Sequence, residues 1–174
     1  MSYATVTGGG RLWIDLNSTE LKLAQQALDA AAGNSPVNIL TSLGTAPTAG
    51  DYNIYNIEAV AGGSYTLGAG EQAIALEGKA SAKLTGNGAV TPDYLLIGDG
   101  GKDTIKAYGG NGTIFSGDGG NVILVQKDAN ADIFTGLGHD TIYMQGGVAI
   151  PASEPAKDVI AKLEAAEAAV EETK

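Results

Sequence analysis

Asp103, Asn121 and Asp140 follow one another at intervals of 18 and 19 residues, each two residues after a glycine: Gly101, Gly119 and Gly138. Glycine tolerates the positive φ that lets a tight turn gather several carbonyl oxygens, and the side chains add more. That is oxygen-donor chemistry suited to a hard divalent cation such as calcium, which takes about six to eight oxygens. The same residues have a plainer use, because Asp and Asn in turns satisfy backbone amides without any metal. His139 is the single histidine, set between Gly138 and Asp140 with no cysteine and no Ser-His-Asp pattern beside it. It reads as a solvated turn residue. The run Gly8-Gly9-Gly10 precedes a strand rather than a helix and makes a poor phosphate loop. With one arginine, Arg11, and no clustered acid pair on a strand face, no catalytic residue is assigned and no enzyme is expected.

The elements that must position these residues announce themselves by period. Ile105, Ile114, Ile123, Ile133 and Ile142 recur at intervals of 9, 9, 10 and 9 residues. A solenoid keeps such an interval because every rung adds one aliphatic side chain to the same interior stack. Two rungs make a coil of about 18 residues, with strands on two faces and turns along two edges. The period places Asp103, Asn121 and Asp140 along one edge, while the rungs of the other edge carry Gly112 and Ala131. Thr104, Thr113 and Thr141, with Lys106, Phe115 and Tyr143, fall at outward positions. Tyr94, Tyr108 and Tyr143 do not read as one shared aromatic face.

Aligned on the isoleucines, three nonapeptides appear: Gly98–Lys106, Ser116–Leu124 and Thr135–Tyr143. They resemble the RTX (hemolysin-type) calcium-binding repeat, G-G-x-G-x-D-x-U-x with U a large aliphatic residue, over about residues 95–147. The resemblance implies a parallel β-roll with structural calcium between turns of successive coils. It points to Asp103, Asn121, Asp140, Gly101, Gly119 and Gly138 as the metal-binding residues. It also implies export by type I secretion and folding outside the cell. The match departs from the repeat at Asn121, which is neutral. Asp99 and Asp118 could add ligands but are expected to face solvent.

Composition narrows the rest. Glycine supplies 26 of 174 residues, more than twice the usual ~7%, which calls for many tight turns. A net charge of −10 argues against nucleic acid and against an anionic membrane surface. There is no cysteine for disulfide or thiolate chemistry. No apolar run approaches the roughly 18 residues that cross a bilayer. The first residues lack a basic stretch followed by an apolar one, so no cleavable signal is expected.

Three segments follow. Residues 1–49 hold a strand at Arg11–Leu16 with Trp13 as a core anchor. A helix then runs from Asn17 or Ser18 to about Ala32. Asn17 and Glu20 have capping-box spacing; Leu21, Ala24, Leu28 and Ala31 form the apolar stripe, and Gly33 an αL stop. Residues 50–150 form the solenoid. Residues 151–174 are expected to be an amphipathic helix with Val159, Ile160, Leu163, Ala166 and Val170 on its apolar face. The expected fold is mainly β: a right-handed parallel β-roll or β-helix with a short helix near each terminus. The expected role is a non-enzymatic extracellular structural protein of a bacterium, secreted or at the cell surface. It would self-assemble into a homo-oligomer, layer, matrix or fibre. The alternative is a carbohydrate-binding or adhesion module, with cell-surface polysaccharide as partner, or a phage structural protein.

Overall fold

Two parallel sheets wound from a single run of chain make the body of the molecule. The structure is a computed structural model that describes residues 2–6, 10–42, 45, 47–88, 93–146 and 148–151. A hairpin comes first: β1 (Ser2–Thr5) pairs antiparallel with β2 (Arg11–Ile14). Next come α1 (Ser18–Ala32) and β3 (Val37–Leu40). From there the chain alternates between sheets. The first holds β4 (Tyr52–Glu58), β6 (Ala73–Glu77), β8 (Asp93–Ile97), β10 (Gly110–Phe115), β12 (Ala129–Phe134) and β14 (Val148–Pro151), stacked in that order on β3. The second holds β5 (Ser64–Thr66), β7 (Lys83–Asn87), β9 (Thr104–Tyr108), β11 (Val122–Val125) and β13 (Thr141–Met144).

The isoleucine period is the register of these sheets. Ile105, Ile123 and Ile142 pair in line across the second sheet, and Ile114 pairs with Ile133 across the first. All five are buried between the sheets. Strands β4 to β8 belong to the same winding, although Ala73 pairs with Leu95, 22 residues on, where Ile105 pairs with Ile123, 18 residues on. Tyr94 fits inside this narrow core because Gly86, on the facing sheet, and Gly112, on the neighbouring strand, leave its ring room. A methyl at Gly112 would come within 2.6 Å of that ring.

A second core lies outside the first sheet. Tyr52, Ile54, Ala73, Ala75, Leu95, Ile97 and Phe115 point away from the solenoid interior into a cluster with Leu12, Ile14, Leu16, Ala24 and Leu28. Strands covered on both faces read as continuous apolar runs, as β6 (AIALE) does; those of the second sheet alternate, as β9 (TIKAY) does. Phe115 is outward-facing as its rung position predicts, yet buried, and it stacks on Phe134 at 4.5 Å. Asn56 fastens the hairpin: its Oδ1 accepts the Trp13 amide (2.9 Å) and its Nδ2 donates to the Trp13 carbonyl (2.8 Å).

Helix α1 carries the full capping box of Asn17 and Glu20. Its buried row is Glu20, Ala24, Leu28 and Ala32, a strict i,i+4 series, whereas Leu21 is half-buried and Ala31 exposed. The stripe read from sequence was therefore rotated by one position at each end. Gly33 ends the helix at φ 56° and ψ −118°, a glycine conformation but not αL. Trp13 is not a core anchor. Alternation along β2 sends Leu12 and Ile14 inward and leaves Trp13 38% exposed, edge-on to Tyr3. Among the described residues α1 is the single helix; the helix expected within residues 151–174 lies outside them.

Candidate functional site

The edge that joins the first sheet to the second carries every residue assigned from the repeat. Turns 98–103, 116–121 and 135–140 lie one above another there, linked coil to coil by backbone bonds such as Gly119 N–H to Leu137 O (2.7 Å). The glycines exist for this stacking. A Cβ on Gly101 would meet the Ala80 carbonyl at 2.7 Å, one on Gly119 would overlap the Gly101 carbonyl, and one on Gly138 the Gly119 carbonyl.

Asp103, Asn121 and Asp140 are all buried, at 1%, 0% and 5% exposure, and they form a ladder. Each reaches one coil back to take a backbone amide. Ala82 N–H donates to Asp103 Oδ1 (2.9 Å), Asp103 N–H to Asn121 Oδ1 (2.8 Å), and Asn121 N–H to Asp140 Oδ1 (2.7 Å). The second atom of two rungs closes its own turn: Asp103 Oδ2 accepts from the Asp99 amide, and Asn121 Nδ2 donates to the Gly117 carbonyl (3.1 Å). The neutral Asn121 thus has a structural reason. A carboxylate in the middle rung would place three anions in one buried stack and lose the bond to Gly117.

Other acids gather along the same edge. Asp99 is fully buried rather than facing solvent, with its Oδ1 accepting the Gly101 amide (2.6 Å). Asp118 is half-buried, and its Oδ1 accepts the Leu137 amide (2.9 Å). Glu20 arrives from α1: Oε2 caps Asn17, while Oε1 is buried with no hydrogen-bond partner. Burial pushes the Glu20 carboxyl up to about 7, the charges of Asp118 and Asp140 add to this, and the Asn17 amide opposes it. Burial likewise lifts Asp103 to about 6, against the amides of Ala82 and Asp99 and with the charge of Asp99. Asp99 is raised by burial first and by the charge of Asp15. His139 is exposed, as its turn position predicts.

This geometry bears on calcium directly. Both oxygens of Asp103, Oδ1 of Asn121 and Oδ1 of Asp140 each accept a backbone amide, so an ion bound here would have to share these oxygens with those amides. Among the described residues no three of His, Cys, Asp and Glu converge as a metal site. The ladder as built is held by backbone amides and needs no ion to close. Thermal unfolding followed by circular dichroism is therefore expected to give the same midpoint in millimolar calcium and in EGTA. A midpoint several degrees higher with calcium would show that the turns open to admit it.

Sequence reading found the ladder and the capping box separately. It missed that Glu20 comes within reach of the charges of Asp118 and Asp140, for which a separation of about a hundred residues leaves no local signal. No protein-family model, no curated protein and no solved structure matches the chain.

Proposed function

We propose that the chain is a non-enzymatic structural protein, working outside the cell, that joins end to end with copies of itself into a fibre or layer. The observation that carries this reading is that the first sheet stops on strand edges at both ends, β3 and β14, with no further strand beside either among the described residues. Unpaired edges are templates for another chain, and natural proteins blunt them with charge, bulges or proline within the strand. Strand β3 reads VNIL and has none of these, whereas β14 reads VAIP and carries one, Pro151, at its last residue. The pairing of β3 with β4 uses Pro36 O, which accepts from Tyr52, and by the alternation of a parallel ladder Val37 and Ile39 turn their N–H and C=O groups to the open side. Joining β14 of one copy to β3 of the next is a heterologous contact that does not close on itself, the geometry of filaments. The second sheet stops earlier, at β5 and β13, so the joint rests on the first sheet.

The test is sedimentation and negative-stain microscopy over a range of concentrations, with Val37→Pro and Ser64→Pro. Proline is tolerated at the first residue of a strand, and at Val37 it removes one edge-facing N–H. Polymers are expected from the parent chain and from Ser64→Pro, which alters β5, but not from Val37→Pro, all three with similar melting. A parent chain that stays monomeric at every concentration would refute the reading.

A further inference from the structure

Among the described residues no helix or strand covers the outer face of the second sheet. Its outward side chains form registered rows, Ser64-Lys83-Thr104-Val122-Thr141 and Thr66-Thr85-Lys106-Leu124-Tyr143, with Asn87 beside Tyr108 at one margin. None of these twelve is buried: Ser64, Thr66, Lys83, Tyr108 and Tyr143 are exposed and the rest half-buried. Helix α1 and the hairpin cover the corresponding face of the first sheet, so the two faces of the solenoid are treated differently.

Charge sets this face apart. The chain has 20 acidic residues against 10 basic ones, yet the five strands of the second sheet carry Lys83 and Lys106 and not one Asp or Glu. Two tyrosines stand out of it, Tyr108 at 40% exposure and Tyr143 at 48%. The three tyrosines do not share one face, as the sequence predicts: Tyr94 lies in the core, while Tyr108 and Tyr143 stand together on this one. They sit two strands apart and two residues offset, about 12 Å from ring to ring position. Beside Tyr108 a shallow recess of about 520 Å³ is lined by Thr66, Thr85, Asn87, Gly109, Lys127 and Asp128.

We propose that this face binds an anionic polysaccharide laid across the five strands. Aromatic faces offer an apolar surface to the C–H side of a sugar ring while the phenol stays hydrated. Threonine hydroxyls and the Asn87 amide match sugar hydroxyls in both donor and acceptor sense. Lysines on strands that carry no Asp or Glu favour uronate or sulfate groups over neutral sugars. A nucleic acid is the poorer occupant, because it offers fewer free sugar hydroxyls to the threonine rows and Asn87. The face is separate from the β3 and β14 edges, so loss of polymerisation and loss of this binding are independent results.

Affinity electrophoresis of the full chain through gels containing polygalacturonate, dextran or no polymer tests the proposal. Retardation is expected with polygalacturonate alone, weakening as salt is raised. Tyr108→Ala with Tyr143→Ala, and Lys83→Glu with Lys106→Glu, are each expected to weaken it at least tenfold with melting unchanged; Lys106→Gln replaces Lys106→Glu should the latter misfold. The proposal is overturned if the parent chain is not retarded, or if dextran retards it equally. Undiminished binding in the folded variants, preferential displacement by oligothymidylate, or a tyrosine pair that changes self-association instead of retention would overturn it as well.

Discussion

Gly119→Ala is expected to destabilise the solenoid by about 4 kcal/mol, the sum of backbone strain and an overlap that cannot relax. Gly119 sits at φ 110°, where an L side chain is strained whatever the space around it. Its Cβ would also point into the Gly101 carbonyl of the preceding coil. That carbonyl belongs to a turn pinned by the Asp99 side chain through the Gly101 amide, so yielding there disturbs the acid-lined edge as well. At roughly 2–4 °C per kcal/mol for a chain of this size, the melting midpoint should fall by about 8–16 °C. Gly120→Ala is the control. It has ordinary φ, and its nearest neighbour is the His139 carbonyl at 3.3 Å, so a change within about 1 kcal/mol is expected. Urea and thermal unfolding of the pair measure the difference. Equal midpoints would mean that the coils are not stacked through these glycines.

What the sequence made legible is what repeats at short range. Isoleucines nine residues apart have one explanation, a rung that recurs, and the register bears it out from Ile105 to Ile142. The early coils hide because their spacing varies: Tyr65 pairs with Leu84 after 19 residues and Leu84 with Ile105 after 21. The core is indifferent to turn length, so coils of unequal length stack equally well while erasing the period on which a reading depends.

The misreadings share one cause, a contact between distant segments. Alternation in β2 established that Trp13 and Leu12 face opposite ways but not which way the core lies; that depends on where Asn56 holds the hairpin. The α1 stripe shifted because Glu20 is buried, a position no amphipathic pattern would grant a carboxylate. Gly-Asp is ordinary turn chemistry, which predicts a solvated Asp99. It is buried because its carboxylate closes the turn on Gly101. The ladder positions were found by period alone, and whether they hold amides or an ion is a matter of where the neighbouring coil's N–H groups point.

That acidic edge predicts how stability responds to pH. Glu20 is lifted from 4.5 to about 7 and Asp103 from 3.8 to about 6, both chiefly by burial, so the folded protein holds their protons more tightly than the unfolded chain. The folded state then binds more protons than the unfolded one between about pH 4 and 7, and stability falls as pH rises through that window. It is fully present below the unfolded values and lost once both groups ionise. Each group contributes on the order of 2 kcal/mol, enough together to lower the melting midpoint by roughly 10 °C between pH 5 and 7.5. Glu20→Gln separates the helix from the ladder. Glutamine keeps an acceptor for the Asn17 amide and carries no charge towards Asp118 and Asp140. The variant is therefore expected to match the parent near pH 5, to exceed it at pH 7.5, and to show a flatter profile whose remaining slope belongs to Asp103 and Asp99. A parent midpoint that is level or rises from pH 5 to 7.5 would show that the edge is neutralised by something other than protons, and a bound cation would then be the first candidate to measure.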